Sequence, residues 1–131
     1  MKYLLLIYSN PESWEHPMFR RDPGFLALAR AEREEIVRAA DAVFDEITES
    51  GELVGGVALA DPATAATVRA RGGAPVATDG PYPEAKEQLA GYFVLDCASA
   101  ERAAEIAGRF PDARFGAVEI RPIMDTAGRE W

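Results

Sequence analysis

The spacing of apolar residues changes period several times along the chain, and each change marks an element. Residues 3–8 are apolar on both alternating sides, with Tyr3, Leu5 and Ile7 on one and Leu4, Leu6 and Tyr8 on the other. That is the pattern of a strand covered on both faces. Turn residues fill positions 9–17, and Asp22-Pro23 then reads as an N-cap followed by proline at the first helical position. Beyond it Ile36, Val37, Ala40, Val43, Phe44 and Ile47 recur at close to 3.6 residues, with Glu34, Glu35, Asp41, Asp45 and Glu46 between them. The spacing predicts one long helix over residues 25–49, weakened around residues 30–33 and closed by Gly51. Leu53, Val57 and Leu59 alternate around Gly55 in a second strand, where glycine predicts a bulge or a close backbone approach. Asp61-Pro62 ends it.

Gly72-Gly73 separates residues 67–71 from 74–78 and predicts a tight hairpin, whose second arm Pro75 restricts to an edge or irregular strand. Residues 89–96 form a further strand. Ser99 then caps a helix with Ala103, Ile106, Ala107 and Phe110 on one face, and Pro111 stops it before a last strand at 117–121. The order β-α-β, hairpin, β-α-β predicts an α+β domain of the ferredoxin-like split βαβ type, an antiparallel sheet with its helices on one face. Because the first strand is apolar on both faces, the far side of the sheet also needs a cover. A second copy packed face to face supplies one, giving a homodimer, a dimeric α+β barrel with a cavity between the sheets. Val118 and Ile120 then face the helices, while Ala117, Glu119 and Arg121 point to the cavity side.

With 131 residues, 48% of them hydrophobic, the chain is expected to form a single domain over residues 1–131. A net charge of -8, from 22 acidic and 14 basic residues, argues against nucleic acid or an anionic membrane surface and for a small-molecule ligand. No apolar run approaches the roughly 20 residues of a membrane helix, and the apolar start is too short for a signal peptide. The lone Cys97 reads as a buried thiol in a reducing compartment, and a cytoplasmic location is expected. One histidine and one cysteine far apart give no metal-ligand spacing, and neither a phosphate loop nor a nucleophile elbow is present. Neither metal nor organic cofactor is expected.

Ionisable groups concentrate at residues 78–91, where the Asp79-Gly80-Pro81 turn brings Asp79, Glu84, Lys86 and Glu87 to the start of an apolar strand. Asp79 is a general base if desolvated toward the cavity, or a turn former bonded to its own backbone. Lys86 and Glu87 bind and polarise an anionic or carbonyl substrate, or join Glu84 and Arg69 in an ion-pair network that holds the hairpin down. Glu119 and Arg121 form a cavity acid and anion clamp, or an interface salt bridge. His16, the only histidine, is the side-chain type that titrates closest to neutral pH, in a stretch that reads as an exposed loop beside Trp14 and Pro17.

The run Thr78-Asp79-Gly80-Pro81-Tyr82-Pro83-Glu84-Ala85-Lys86-Glu87-Gln88-Leu89-Ala90-Gly91-Tyr92 resembles the DGPF family, within the broader YCII-related proteins. Thr67-Val68-Arg69, Val118-Glu119-Ile120-Arg121-Pro122 and the opening Met1-Lys2-Tyr3-Leu4-Leu5-Leu6-Ile7-Tyr8 share the likeness, which spans nearly the whole chain. The resemblance implies a ferredoxin-like dimeric α+β barrel. Some members are encoded beside extracytoplasmic-function sigma factors, and the wider group is proposed to be enzymatic on account of a His-Asp pair. Two positions depart from the pattern. Tyr82 stands where the family has Phe, and Pro23-Gly24-Phe25 stands where a histidine follows a proline at the start of the first helix. Two functions follow as expectations: a cofactor-independent enzyme doing acid-base chemistry through Asp79, Lys86 and His16, with Arg69, Tyr82, Glu84, Glu87, Glu119 and Arg121 binding the ligand; or a non-catalytic ligand-binding accessory to such a sigma factor.

Overall fold

The computed structural model describes residues 1–10, 13–81 and 87–130, and of Arg71 the backbone only. Strand β1 (Lys2–Ser9) lies inside a four-stranded sheet, flanked by β5 (Gln88–Asp96) and β6 (Ala117–Pro122), with β2 (Leu53–Ala58) outside β5. The order is β2-β5-β1-β6 and every neighbouring pair is antiparallel. The β2 register shifts between Leu53 and Gly55, where the sequence predicts a bulge.

Helices α2 (Arg30–Ser50) and α3 (Ala100–Arg109) cover one face. Tyr3, Leu5 and Leu95 from the sheet meet Val43 and Ile47 of α2 and Ala103, Ile106 and Phe110 from α3 and its end, all buried. Val118 and Ile120 pack against this core, as the alternation along the last strand predicts. The Ser99 hydroxyl caps α3 by accepting from the Arg102 N–H at 3.1 Å. The Arg102 guanidinium clamps both oxygens of Glu52 at 2.9 Å and reaches Glu46 of α2, which Arg109 also holds. This network ties the two helices together along their outer edge.

The opposite face carries Leu4, Leu6, Tyr92 and Val94, all only half-buried, and Val57, which is 46% exposed. The core gains its depth on one side of the sheet alone.

The predicted hairpin forms between β3 (Ala66–Arg71) and β4 (Ala74–Asp79), a separate two-stranded sheet turned by Gly72 and Gly73 at φ 58° and 81°. Two successive positive φ angles are what the tight hairpin turn demands of its central residues. Every residue of β4 is exposed, as are Val68 (63%) and Val76 (45%) on its two arms. At its base the Gly80 N–H donates to the Ala65 carbonyl at 2.7 Å, and the Thr67 hydroxyl to the Gly80 carbonyl at 2.8 Å.

Three local features differ from the periodicity. The long first helix is two helices, α1 (Pro23–Leu26) and α2, with the break at residues 27–29 rather than at 30–33. Asp22 caps α1 as predicted, but Phe25 is buried edge-on between Phe19 and Phe115, which anchors that turn away from the axis of α2. Residues 18–21 form a 3-10 turn, Met18–Arg21, that buries Met18 and Phe19. Finally, Pro111 ends α3 but starts another helical turn, α4 (Asp112–Phe115). Among the described residues no helix is long and apolar enough to cross a membrane.

Candidate functional site

Of the side chains that the sequence groups into a candidate site, the structure describes Asp79, Arg69, Glu87, Glu119, Arg121 and His16. Asp79 ends β4 and is exposed, and Arg69 is exposed on β3. Beneath the turn lies a cavity of about 640 Å³ lined by Tyr8, Leu59, Asp61, Pro81, Glu87 and Leu89, and Asp79 does not line it. Tyr82, Glu84 and Lys86 lie outside the described residues. Glu119 and Arg121 sit at register positions opposite Leu6 and Leu4 on the open face of the sheet, both exposed. Rather than pairing with Arg121, Glu119 accepts a hydrogen bond from the Tyr8 hydroxyl at 3.0 Å. Burial, then that bond, pushes the Tyr8 phenol up from its ordinary value, and Arg121 opposes the rise. Tyr8 reads as an apolar strand residue in the sequence, yet it joins the cavity under the turn to the open face.

The second group forms around His16. Its Nε2 lies 2.7 Å from the Leu59 carbonyl oxygen, and Trp14 Nε1 donates to the same oxygen at 2.9 Å. A carbonyl only accepts, so this bond puts the proton on Nε2 and leaves Nδ1 as the basic nitrogen of the neutral ring. The Trp14 ring stands edge-on to the imidazole, 6.0 Å between centroids at 89°.

Asp112, at the start of α4, faces the same region. Burial pushes its carboxyl up from the ordinary value, against the opposing effects of a hydrogen bond from its own backbone and of the His16 charge. Together His16 and Asp112 line a cavity of about 310 Å³ whose remaining wall is mostly apolar, with Ile7, Met18, Phe44 and Phe93, and includes Tyr92. An apolar pocket with two convergent titratable groups, one held toward its neutral form, is an arrangement suited to proton transfer. His16 is among the candidates that the sequence points to, and Asp112 is not. The single available signal is an Asp directly after Pro111, the pairing that opens a helix.

Among the described residues no three His, Cys, Asp or Glu side chains gather closely enough to hold a metal ion.

The model of the YCII-related domain matches residues 1–127. An uncharacterised protein of Rhizobium meliloti (strain 1021) is 39% identical over 100 residues, which cover 74% of this chain and 80% of that protein. Among solved structures, the chain is similar to 5-chloro-2-hydroxyhydroquinone dehydrochlorinase from Burkholderia phenoliruptrix AC1100, in complex with 2,5-dihydroxybenzoquinone. The identity is 12% and the TM-score 0.47, with 99% of this chain and 100% of that chain covered.

Proposed function

The chain belongs to the YCII-related family, and from that premise we propose that it is a small-molecule enzyme that uses acid-base chemistry, without metal or organic cofactor, at the pocket of His16 and Asp112. The observation that carries this reading is the imidazole fixed by the Leu59 carbonyl beside a carboxyl that burial biases to its neutral form. Nδ1 of His16 accepts a proton from a weakly acidic C–H or O–H of the substrate, and the Asp112 carboxyl, which burial shifts toward its neutral form, is placed to exchange a proton with the same substrate. The apolar lining around Asp112 lowers the local dielectric and strengthens its polar interactions. We assign these roles to His16 and Asp112 in preference to Asp79, whose exposed carboxylate has no such wall.

The active assembly in this reading is a homodimer. The half-buried Leu4, Leu6, Tyr92 and Val94 support packing of two open sheet faces, and the strand order β2-β5-β1-β6 supports the ferredoxin-like dimeric α+β barrel. Glu119 and Arg121 then border the cavity between the sheets. Asp79-Gly80-Pro81 supports the DGPF branch of the family, and the buried free thiol of Cys97 supports a cytoplasmic location.

The test is proton exchange. A panel of small carbonyl and phenolic compounds is incubated in D2O with wild-type protein, His16→Asn and Asp112→Asn, and deuterium incorporation is followed by 1H NMR. At least one compound should exchange faster with wild type and lose most of that acceleration in both variants. Acceleration that survives both substitutions, or none across the panel, counts against the reading. The exposed hairpin, with Val68 and Val76 facing solvent, favours a second reading as an accessory module for an extracytoplasmic-function sigma factor. Pull-down of that factor by wild type, abolished by Val68→Asp, tests it.

A further inference from the structure

A groove of about 630 Å³ runs between the 3-10 turn at Met18–Arg21 and the N-terminal half of α2, and shares His16 and Pro17 with the Asp112 pocket. Five arginines line it, Arg20, Arg21, Arg30, Arg33 and Arg38, in a chain whose net charge is -8. Three have carboxylate partners. Arg21 pairs with Glu15, Arg30 with Glu34 at 3.0 Å, and Arg38 with Glu35 at 2.9 Å. Among the described residues Arg20 and Arg33 pair with no carboxylate, and the Nε of Arg33 is buried with no hydrogen-bond acceptor. Arg20 and Arg33 therefore bring positive charge to the groove that no carboxylate of the described residues pairs with, and a ligand would meet the outer nitrogens of their guanidinium groups.

We propose that this groove binds a compact organic carboxylate, its anionic head held by Arg33 and Arg20 and its hydrocarbon part laid on Phe25, Leu26 and Val37. The planar guanidinium fork matches a carboxylate, and the volume suits a small molecule. Glu15 and Glu34 in the wall, together with the acidic chain as a whole, repel the extended phosphate backbone of a nucleic acid. The proposal needs no chemistry at His16 and Asp112 and stands if that pocket proves inactive.

Isothermal titration with benzoate and with hexanoate, at constant ionic strength, tests it on wild type, Arg33→Gln, Arg20→Gln and Asp112→Asn, with benzyl alcohol as the uncharged probe. At least one carboxylate should bind wild type and Asp112→Asn alike. Its affinity should fall about tenfold or more in Arg33→Gln, the loss expected for one charge-assisted hydrogen bond, and measurably in Arg20→Gln. Benzyl alcohol should bind far more weakly. Arg20 is exposed, so its variant keeps the test informative even if Arg33→Gln folds poorly. Binding of neither carboxylate, equal affinity in the arginine variants and wild type, or equal binding of the alcohol overturns the proposal.

Discussion

Gly116→Ala probes the link between the fold and the pocket. Gly116 stands between α4 and β6, and its N–H donates to the Asp112 carbonyl at 2.9 Å, closing the short helix that carries the Asp112 side chain. A Cβ at this position overlaps the Tyr8 carbonyl oxygen and comes within 3.3 Å of the Asp112 carbonyl oxygen, so backbone crowds it on both sides. Neither neighbour is the end of a flexible side chain. Relief requires β1 or α4 to move by about an ångström, and overpacking of this kind costs about 1–3 kcal/mol. With an unfolding entropy near 2.1 cal/mol/K per residue, that cost lowers the melting temperature of a chain of this size by about 4–11 °C. Scanning calorimetry reads the shift, with Gly108→Ala as control, because a Cβ there meets nothing within 4 Å and alanine favours the helix. The control should melt at or slightly above wild type. Proton exchange by Gly116→Ala should also fall, since α4 carries Asp112. A melting temperature within about 1 °C of wild type would refute the close-packing argument.

Other substitutions test separate parts of the account. Ile106 is 0% exposed in the core, so Ile106→Ala should cost about 2–5 kcal/mol in urea unfolding, and a loss well under this range would mean the core is loosely filled. Hydrogen bonds from Arg102, then Ser50, hold the Glu52 carboxyl down at about 2 against an ordinary 4.5. Its contribution is therefore complete above pH 4.5 and lost as pH falls from there through about 2. The urea midpoint difference between wild type and Glu52→Gln should shrink over that window, and a difference independent of pH would contradict the assignment. Asp112 carries the opposite sign. Its folded carboxyl titrates above the ordinary 3.8, so the folded state binds the proton more tightly and stability falls as pH rises past that value. Asp112→Asn should gain on wild type as pH climbs from about 3.8, and a variant that loses ground there would reverse the sign.

Wherever local chemistry decides an element, the sequence makes it legible. The strand β1, the Gly72-Gly73 turn, the Asp22 and Ser99 caps and the bulge at Gly55 each follow from a few adjacent residues, whereas β1 is buried on one face alone. The elements missed depend on contacts with distant parts of the chain. Phe25 breaks the first helix because it packs on Phe19 and Phe115, and the 3-10 turn exists because Met18 and Phe19 are buried within a stretch that reads as polar loop. The site divides the same way. His16 stands out as the sole histidine, but it is held by the backbone of Leu59 beside the ring of Trp14, and Asp112 joins it only through the packing of α4. The turn at residues 78–81 announces itself by composition, whereas folding leaves Asp79 in solvent.

The claim that His16 and Asp112 act as one acid-base pair is tested most directly by titrating the Asp112 carboxyl, observed by 13C NMR, in wild type and in His16→Asn. The midpoint should lie above 3.8 in wild type and move higher in the variant, because the imidazolium charge that favours the carboxylate is gone. A wild-type midpoint at or below 3.8, or one that His16→Asn leaves unchanged, would contradict the pairing.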